Sequence, residues 1–354
     1  MEGSSHSLPT FWFRYWEYTQ ASNGNLLMQR PGPKPSNSDW PLFRPSQLRP
    51  RLSIEHKLRR GVVDLQTAGA GGQLEAVVIQ MVQFSDSDHS LSHKESNTET
   101  TARIGLMGVD LPVIRKGSGP QILVLHGGDG PIDRLPFADR LAERYEVIQP
   151  VHPGFAGTPI PEHFDNIQDL IFLYLDLIDE LNLGNAILVG FSMGGWLAAE
   201  IAAINTQRFS KLVLVDSVGI KTGGPFDRDI ADVFAISPTE HTRISWHDPS
   251  KAPDPSSMSD DELQIFASDR IAHGLYTWEP YMHNPKLPYR LHRINIPTLL
   301  IWGEGDQIVT PSYGEAFRGM ISGASMVLIP DAAHSPHVEQ PEAFVKHFLE
   351  FALQ

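Results

Sequence analysis

One hexapeptide limits what this chain can fold into more than any other feature. Gly190-Phe191-Ser192-Met193-Gly194-Gly195 lies directly between an apolar run, Ala186 to Val189, and an alanine-rich apolar stretch, Trp196 to Ile204. The first reads as a buried strand and the second as a helix packed closely under a sheet. So sharp a strand-to-helix turn forces the serine into a strained backbone conformation. Its neighbours must then be glycine, and its hydroxyl stands exposed above the sheet. The start of the helix beneath it favours negative charge developing there. A lone G-x-S-x-G can be a structural turn and nothing more, but the coincidence of strand, motif and helix argues for a nucleophile.

The surrounding pattern supplies the sheet. From about residue 102, short apolar runs alternate with amphipathic segments, which predicts βαβ units and an α/β fold with a mostly parallel central sheet flanked by helices. Strands are expected at Ile104 to Met107, Pro112 to Arg115, Ile122 to Leu125, Glu146 to Gln149, Ala186 to Val189, Leu212 to Val215, Thr298 to Trp302 and Ser325 to Ile329. Most are continuous apolar runs, as buried parallel strands require. Ile167 to Leu181 and Glu342 to Leu353 carry their apolar residues at helical spacing.

Two regions break the alternation. Residues 219–289 are rich in Pro, Asp, His and Trp and hold short helical pieces such as Asp260 to Ala272. They are expected to form a helical cap inserted after the sixth strand, over the carboxyl ends of the strands. Residues 1–98 read as an irregular N-terminal extension. They hold an aromatic cluster (Phe11, Trp12, Phe13, Tyr15, Trp16, Tyr18), a proline-rich stretch from Pro31 to Pro50 and a short apolar patch, Leu74 to Val82. A polar run ending near Thr101 reads as a linker. The extension is expected to be poorly ordered or loosely attached, an accessory lid being the other reading. Residues 99–218 and 290–354 then make the core.

A serine hydroxyl needs a base to take its proton, and histidine, with an ordinary pKa of about 6.5, suits the task. After a nucleophile elbow the acid and then the base follow in chain order, which narrows fifteen histidines to His334, His337 or His347. His334 is the choice, because it lies in a loop just past the strand Ser325 to Ile329. His347 falls in the last helix. The acid is expected in Gly303-Glu304-Gly305-Asp306 after the seventh strand, with Asp306 first, Glu304 behind it, and Asp216 after the sixth strand as a rival. Its carboxylate would fix the imidazole tautomer. The turn His126-Gly127-Gly128-Asp129-Gly130 can aim a backbone N–H at the site, so Gly128 and Met193 are the expected oxyanion-hole donors. A tight turn alone is the plainer reading of that loop.

Composition narrows the partners. A formal net charge of -14 disfavours polyanions, so nucleic acid and anionic membrane surfaces are not expected. The absence of cysteine removes disulfides, thiolate nucleophiles and cysteine-ligated metals. The glycines at 127, 128 and 130 lack dinucleotide-fingerprint spacing, no phosphate-binding lysine follows a glycine loop and no H-E-x-x-H is present. No cofactor and no metal are therefore expected. His241 and His247 read as solvated, and Trp246, Tyr276, Trp278 and Tyr281 as apolar cover and partial pocket wall. Arg14 and Glu17 interrupt the one apolar stretch near the N-terminus, and no run of about 18 apolar residues follows. A cytoplasmic location is the resulting expectation. Homo-oligomerisation stays open.

These motifs together resemble the α/β-hydrolase family, specifically the capped serine hydrolases that include carboxylesterases and meta-cleavage-product hydrolases. The resemblance covers about residues 102–354. It rests on HGGDG, on GFSMGG, on His152-Pro153-Gly154-Phe155-Ala156-Gly157-Thr158, on WGEGDQIVTP around Asp306 and on HSPHVEQPEAF around His334. It implies a serine hydrolase that cleaves a small-molecule carboxylic ester through an acyl-enzyme intermediate, with Ser192, His334 and Asp306 as triad. One triad serves several chemistries in this family, so a lactonase and a carbon-carbon bond hydrolase of vinylogous diketones are the alternatives. Epoxide hydrolases and haloalkane dehalogenases carry aspartate where this chain has Ser192, which argues against both. Carbon-carbon hydrolases usually have tryptophan directly after the catalytic histidine. Ser335 stands there instead, which favours an ester. A non-catalytic binding protein on the same scaffold is a further alternative, opposed by the intact triad.

Overall fold

The computed structural model describes residues 99–131, 136–224 and 226–354, with two short strands at 18–20 and 26–28. The chain divides into two units, Met1–Ser87 and Asp88–Gln354. In the first, β1 (Tyr18–Gln20) pairs antiparallel with β2 (Leu26–Met28). The rest of the expected N-terminal extension, including the proline-rich stretch and the Leu74 to Val82 patch, lies outside the described residues.

The second unit opens with β3 (Thr100–Leu106) and β4 (Val109–Lys116). The pair Met107-Gly108 joins them, both at positive φ (48° and 73°), as a two-residue hairpin turn of the twist-matching kind demands. The order continues β5 (Gln121–Leu125), α1 (Pro136–Ala142), β6 (Glu146–Pro150), α2 (Ile167–Glu180), β7 (Ala186–Phe191), α3 (Met193–Ile204) and β8 (Phe209–Val215). Then come α4 (Pro238–Ser245), α5 (Asp260–Thr277), β9 (Thr298–Gly303), α6 (Pro311–Met320), β10 (Ser325–Ile329), α7 (Pro336–Glu339) and α8 (Pro341–Ala352).

Eight strands form one sheet in the order β10-β9-β8-β7-β5-β6-β4-β3. From β6 across to β10 every pairing is parallel, and β4 and β3 close one edge antiparallel. All eight expected strands are present. The polar run taken for a linker ends earlier than expected, because Thr100 and Thr101 already pair with Arg115 and Ile114. Both threonines are exposed on the edge strand, where burial makes no demand for apolar residues, so nothing in their composition announced a strand.

Residues alternate between two cores along each central strand. Leu123, Leu125, Leu188, Leu212, Leu214, Leu300 and Trp302 face one side with Leu170, Tyr174 and Leu177 of α2, Leu197 and Ile201 of α3 and Phe317 of α6. Ile122, Val124, Ile187, Val189, Val213, Val215 and Ile301 face the other with Phe137 and Leu141 of α1 and Phe344 and Phe348 of α8. With both faces covered, each fully buried large side chain contributes about 1.5–3 kcal/mol, and the strands are pinned in register. That fixes where the strand ends project their loops.

Between β8 and β9 the chain leaves the sheet. Helix α5 starts at a capping box, Ser259 with Glu262, and is tied to the turn after β6. Its Tyr276 hydroxyl donates to Pro153 O at 3.0 Å, and its Asp269 Oδ1 accepts from Ala156 N at 2.8 Å.

Candidate active site

The serine sits where β7 turns into α3, with φ 50° and ψ −114°, a conformation that non-glycine residues rarely hold. The surroundings over-determine it. Ser192 N donates to Val215 O at 2.9 Å, and Ser192 O accepts from Gly195 N and Val218 N. The glycines allow the close approach: a Cβ at Gly194 would meet Leu125 O at 2.1 Å, and one at Gly190 would meet Gly194 O at 2.2 Å.

Two loops from other strand ends reach this serine. His334, past β10, places Nε2 3.0 Å from Ser192 Oγ and Nδ1 2.8 Å from Asp306 Oδ2. Asp306, past β9, is fully buried at its side chain, and its Oδ1 accepts from Ile308 N at 2.7 Å and Val309 N at 3.1 Å. An ionised carboxylate can only accept, so Nδ1–H donates to Asp306 and Nε2 is left to accept from the hydroxyl. Burial disfavours a charged His334, but the attraction and hydrogen bond of Asp306 outweigh it and hold the imidazole pKa above its ordinary value.

A third loop, after β5, is fixed by two buried histidines. His152 N donates to His126 Nε2 at 3.0 Å, so His126 carries its proton on Nδ1 and donates to Gly127 O at 2.8 Å. His152 Nε2–H then donates to His126 O at 2.9 Å, and His152 Nδ1 accepts from the Tyr174 hydroxyl. Burial keeps both rings neutral, pushing His126 down to about 3 and His152 well below its ordinary value. The loop so held lies against the serine: a Cβ at Gly127 would be 3.2 Å from Ser192 Cβ. Gly128 lines the same cavity as Ser192, and Met193 is the first residue of α3, where a backbone N–H has no acceptor within its own helix.

The rival residues fall elsewhere. Glu304 is exposed. Asp216 is buried close to Asp306, its Oδ1 accepting from Gly303 N at 2.9 Å; burial and the neighbouring Asp306 charge raise its pKa far above the ordinary carboxylate range. Asp216, Asp306 and His334 bring ligand-type atoms within 4.8 Å of one another, the spacing a metal ion would want, but His334 Nδ1 and Asp306 Oδ2 are hydrogen-bonded to each other. His337 is buried among Phe137, Phe191 and Phe344. His347 lies on α8, 3.6 Å from Glu350.

A cavity of about 250 Å³ opens over Ser192 and His334, lined by apolar side chains such as Val215, Val233, Trp246, Phe266 and Ile308. His241, expected to be solvated, is a correction: it is half-buried and lines this cavity, because α4 folds back over the strand ends. His247 is exposed, as are Trp278 and the outer end of α5. Sequence reasoning also missed Glu339. Its buried carboxylate accepts from Ala333 N at 2.7 Å, next to His334, and from His247 N and Asp248 N at 2.8 and 2.9 Å. Beside it, His334 N donates to Ser245 O at 2.9 Å and Gln307 N to Ile244 O at 3.2 Å. The end of α4 is thus stitched to the loops carrying both His334 and Asp306.

Known proteins share this arrangement of strands. The chain is 30% identical over 265 residues to a 2-hydroxy-6-oxononadienedioate/2-hydroxy-6-oxononatrienedioate hydrolase of Cupriavidus pinatubonensis, covering 69% of this chain and 87% of that one. It is 24% identical over 258 residues to the monoacylglycerol lipase ABHD6 of Homo sapiens, covering 67% and 76%. Among solved structures, the 2-hydroxy-6-oxo-6-phenylhexa-2,4-dienoate hydrolase of Rhodococcus sp. strain RHA1 superposes with a TM-score of 0.60 at 20% identity, covering 73% of this chain and all of that one. The sequence profile of the alpha/beta hydrolase family matches residues 122–347, and with the sheet order and the elbow at Ser192 this places the chain in the alpha/beta hydrolase family.

Proposed function

We propose that this hydrolase cleaves small carboxylic esters by nucleophilic catalysis at Ser192. The single observation that carries the reading is the unbroken hydrogen-bonded line from Ser192 Oγ through His334 to Asp306. Ser192 Oγ attacks the acyl carbon while its proton passes to His334 Nε2, and Asp306 stabilises the imidazolium. The oxyanion falls between Gly128 N–H and Met193 N–H, each worth about 3 kcal/mol to the transition state. His334 then gives the proton to the leaving alcohol, activates a water against the acyl-enzyme, and Ser192 is restored. Residues 219–289 act as the cap, closing the cavity from above and excluding bulk water from the acyl group.

A second reading keeps the same residues but breaks a carbon-carbon bond in a vinylogous diketone. It is favoured by the relative from Cupriavidus pinatubonensis. Against it stands Ser335, directly after His334 and lining the cavity. Among the described residues no helix is long and apolar enough to cross a membrane.

Turnover of p-nitrophenyl butyrate by the purified protein and by Ser192→Ala tests the first reading. A loss of about 10⁴-fold or more in kcat is expected; full turnover by the mutant would remove Ser192 from the chemistry. Rapid bleaching of a yellow dienoate with little ester turnover would select the second reading.

A further inference from the structure

The polar side chains that line the cavity are not all part of the Ser192–His334–Asp306 line. Among the described residues, five buried side-chain polar atoms have no hydrogen-bond partner: Asp216 Oδ2, Asp232 Oδ1, Ser245 Oγ, His273 Nε2 and His337 Nδ1. Three of the five belong to residues lining this one cavity: Ser245, His273 and His337. A buried polar group without a partner is costly, and the usual compensation at a binding site is a polar atom of the ligand.

His273 is the best placed of the three. It projects from α5, and a Cβ at Gly128 would lie 2.3 Å from its Nδ1, so the imidazole rests directly on the loop assigned to the oxyanion. The ring is held edge-on by Phe234, with centroids 5.3 Å apart, and the remaining groups facing it are Asp129, His241, Arg270 and His334. Arg270 is engaged elsewhere, donating to Val233 O at 3.1 Å. Burial, the largest influence, pushes His273 down to about 4. It is therefore neutral near pH 7, and a neutral ring offers one N–H donor and one acceptor. It can accordingly meet either a carbonyl or a hydroxyl. Ser245 Oγ adds a second group of the same kind at the end of α4, where its own carbonyl already holds His334 N.

We propose that His273, which lines the cavity beside Gly128, is a substrate-binding residue whose imidazole hydrogen-bonds an oxo or hydroxyl oxygen on the acyl group, so that the cavity selects esters of oxygenated acids over plain alkanoic ones. This rests on Ser192 being the nucleophile and names the acyl class that it serves. Apolar lining accommodates the carbon chain; His273 reads the oxygen. A site built around such a hydrogen bond discriminates against a substrate lacking it, because the buried group is then left unpaired.

The test compares kcat/KM for two matched pairs, p-nitrophenyl levulinate against valerate and p-nitrophenyl β-hydroxybutyrate against butyrate. The wild-type protein is expected to favour the oxygenated member of at least one pair about tenfold. His273→Phe, which keeps the ring packed on Gly128 but has no nitrogen, should shrink that preference to within about twofold, while His273→Gln, which restores a donor, should keep most of it. A purely structural role would lower both members of a pair together and leave the ratio intact. Equal turnover of both members by wild type, or an unchanged ratio in His273→Phe, overturns the proposal. Failure of a fluorophosphonate to label Ser192, with no turnover of any ester, would instead sink the nucleophile assignment and this inference with it.

Discussion

The loops at the strand ends and the insertion between β8 and β9 meet at one cavity, yet they hold their side chains by different means. Ser192 is locked by close backbone approach at Gly190 and Gly194 and by hydrogen bonds to Val215 O and from Val218 N. Asp306 is fixed by two backbone N–H groups and His334 by Asp306 itself. In the insertion, His241 and His273 project from helices α4 and α5 with one buried nitrogen, His273 Nε2, unpartnered. The sheet half binds the reacting line of Ser192, His334 and Asp306 together by its own hydrogen bonds, although Asp216 Oδ2 and His337 Nδ1 beside that line have no partner. The insertion half keeps polar groups spare, and spare groups set which substrate fits. In a fold that serves many chemistries, this is the division expected between conserved mechanism and variable choice.

The largest effect that would break this comparison lies at Asp306. Asp306→Asn removes the charge that keeps the His334 pKa above its ordinary value and allows the wrong tautomer, so kcat should fall about 10³–10⁴-fold. The sign of the accompanying pH change is fixed. The base works when neutral, so activity rises as pH climbs through the His334 pKa, and in wild type that limb should lie above about 6.5. In Asp306→Asn the residual activity should have its limb at lower pH, read from kcat/KM against pH. A limb that stays put would mean another group sets the basicity of His334.

A middle-sized effect sharpens the comparison by cutting the tether between the halves. Glu339→Gln cannot accept at both ends, so either Ala333 N or the His247 and Asp248 pair loses its partner. Stability should drop by about 1–3 kcal/mol in urea, with kcat/KM reduced about tenfold as the His334 loop loosens. The smallest effect is expected at Asp216→Asn. Burial and the Asp306 charge favour its protonated, uncharged form, and Asn has the same shape. kcat should change less than about threefold. A loss approaching that of Asp306→Asn would restore Asp216 as the orienting acid.

What could be read from the residues divides along the same line. Strands β5, β7, β8 and β9 show as apolar runs because both faces are buried at their centres, whereas β10 shows by its apolar run although most of it is not buried, and Ser192, Asp306 and His334 lie just past strand ends. Edge strand β3 did not show in full, since Thr100 and Thr101 face outward and need no apolar character. The role of Glu339 was hidden, because a carboxylate in a short helix normally faces water and only the fold brings three backbone N–H groups to it. His241 was misread for a related reason: helix α4 carries little apolar patterning, and its position over the strand ends is set by tertiary hydrogen bonds at Ile244 and Ser245. The hydrogen-bonded line of Ser192, His334 and Asp306 was legible in local signals. The placement of His241, His273 and Glu339 was not, being set by contacts between segments far apart in the chain.

The most direct measurement is to treat the full-length protein with a fluorophosphonate, digest it and map the adduct by mass spectrometry. A strained serine paired with a buried imidazole–carboxylate should be labelled stoichiometrically at Ser192, and the labelling should be lost in His334→Ala. No adduct, or an adduct on any residue other than Ser192, would contradict the account.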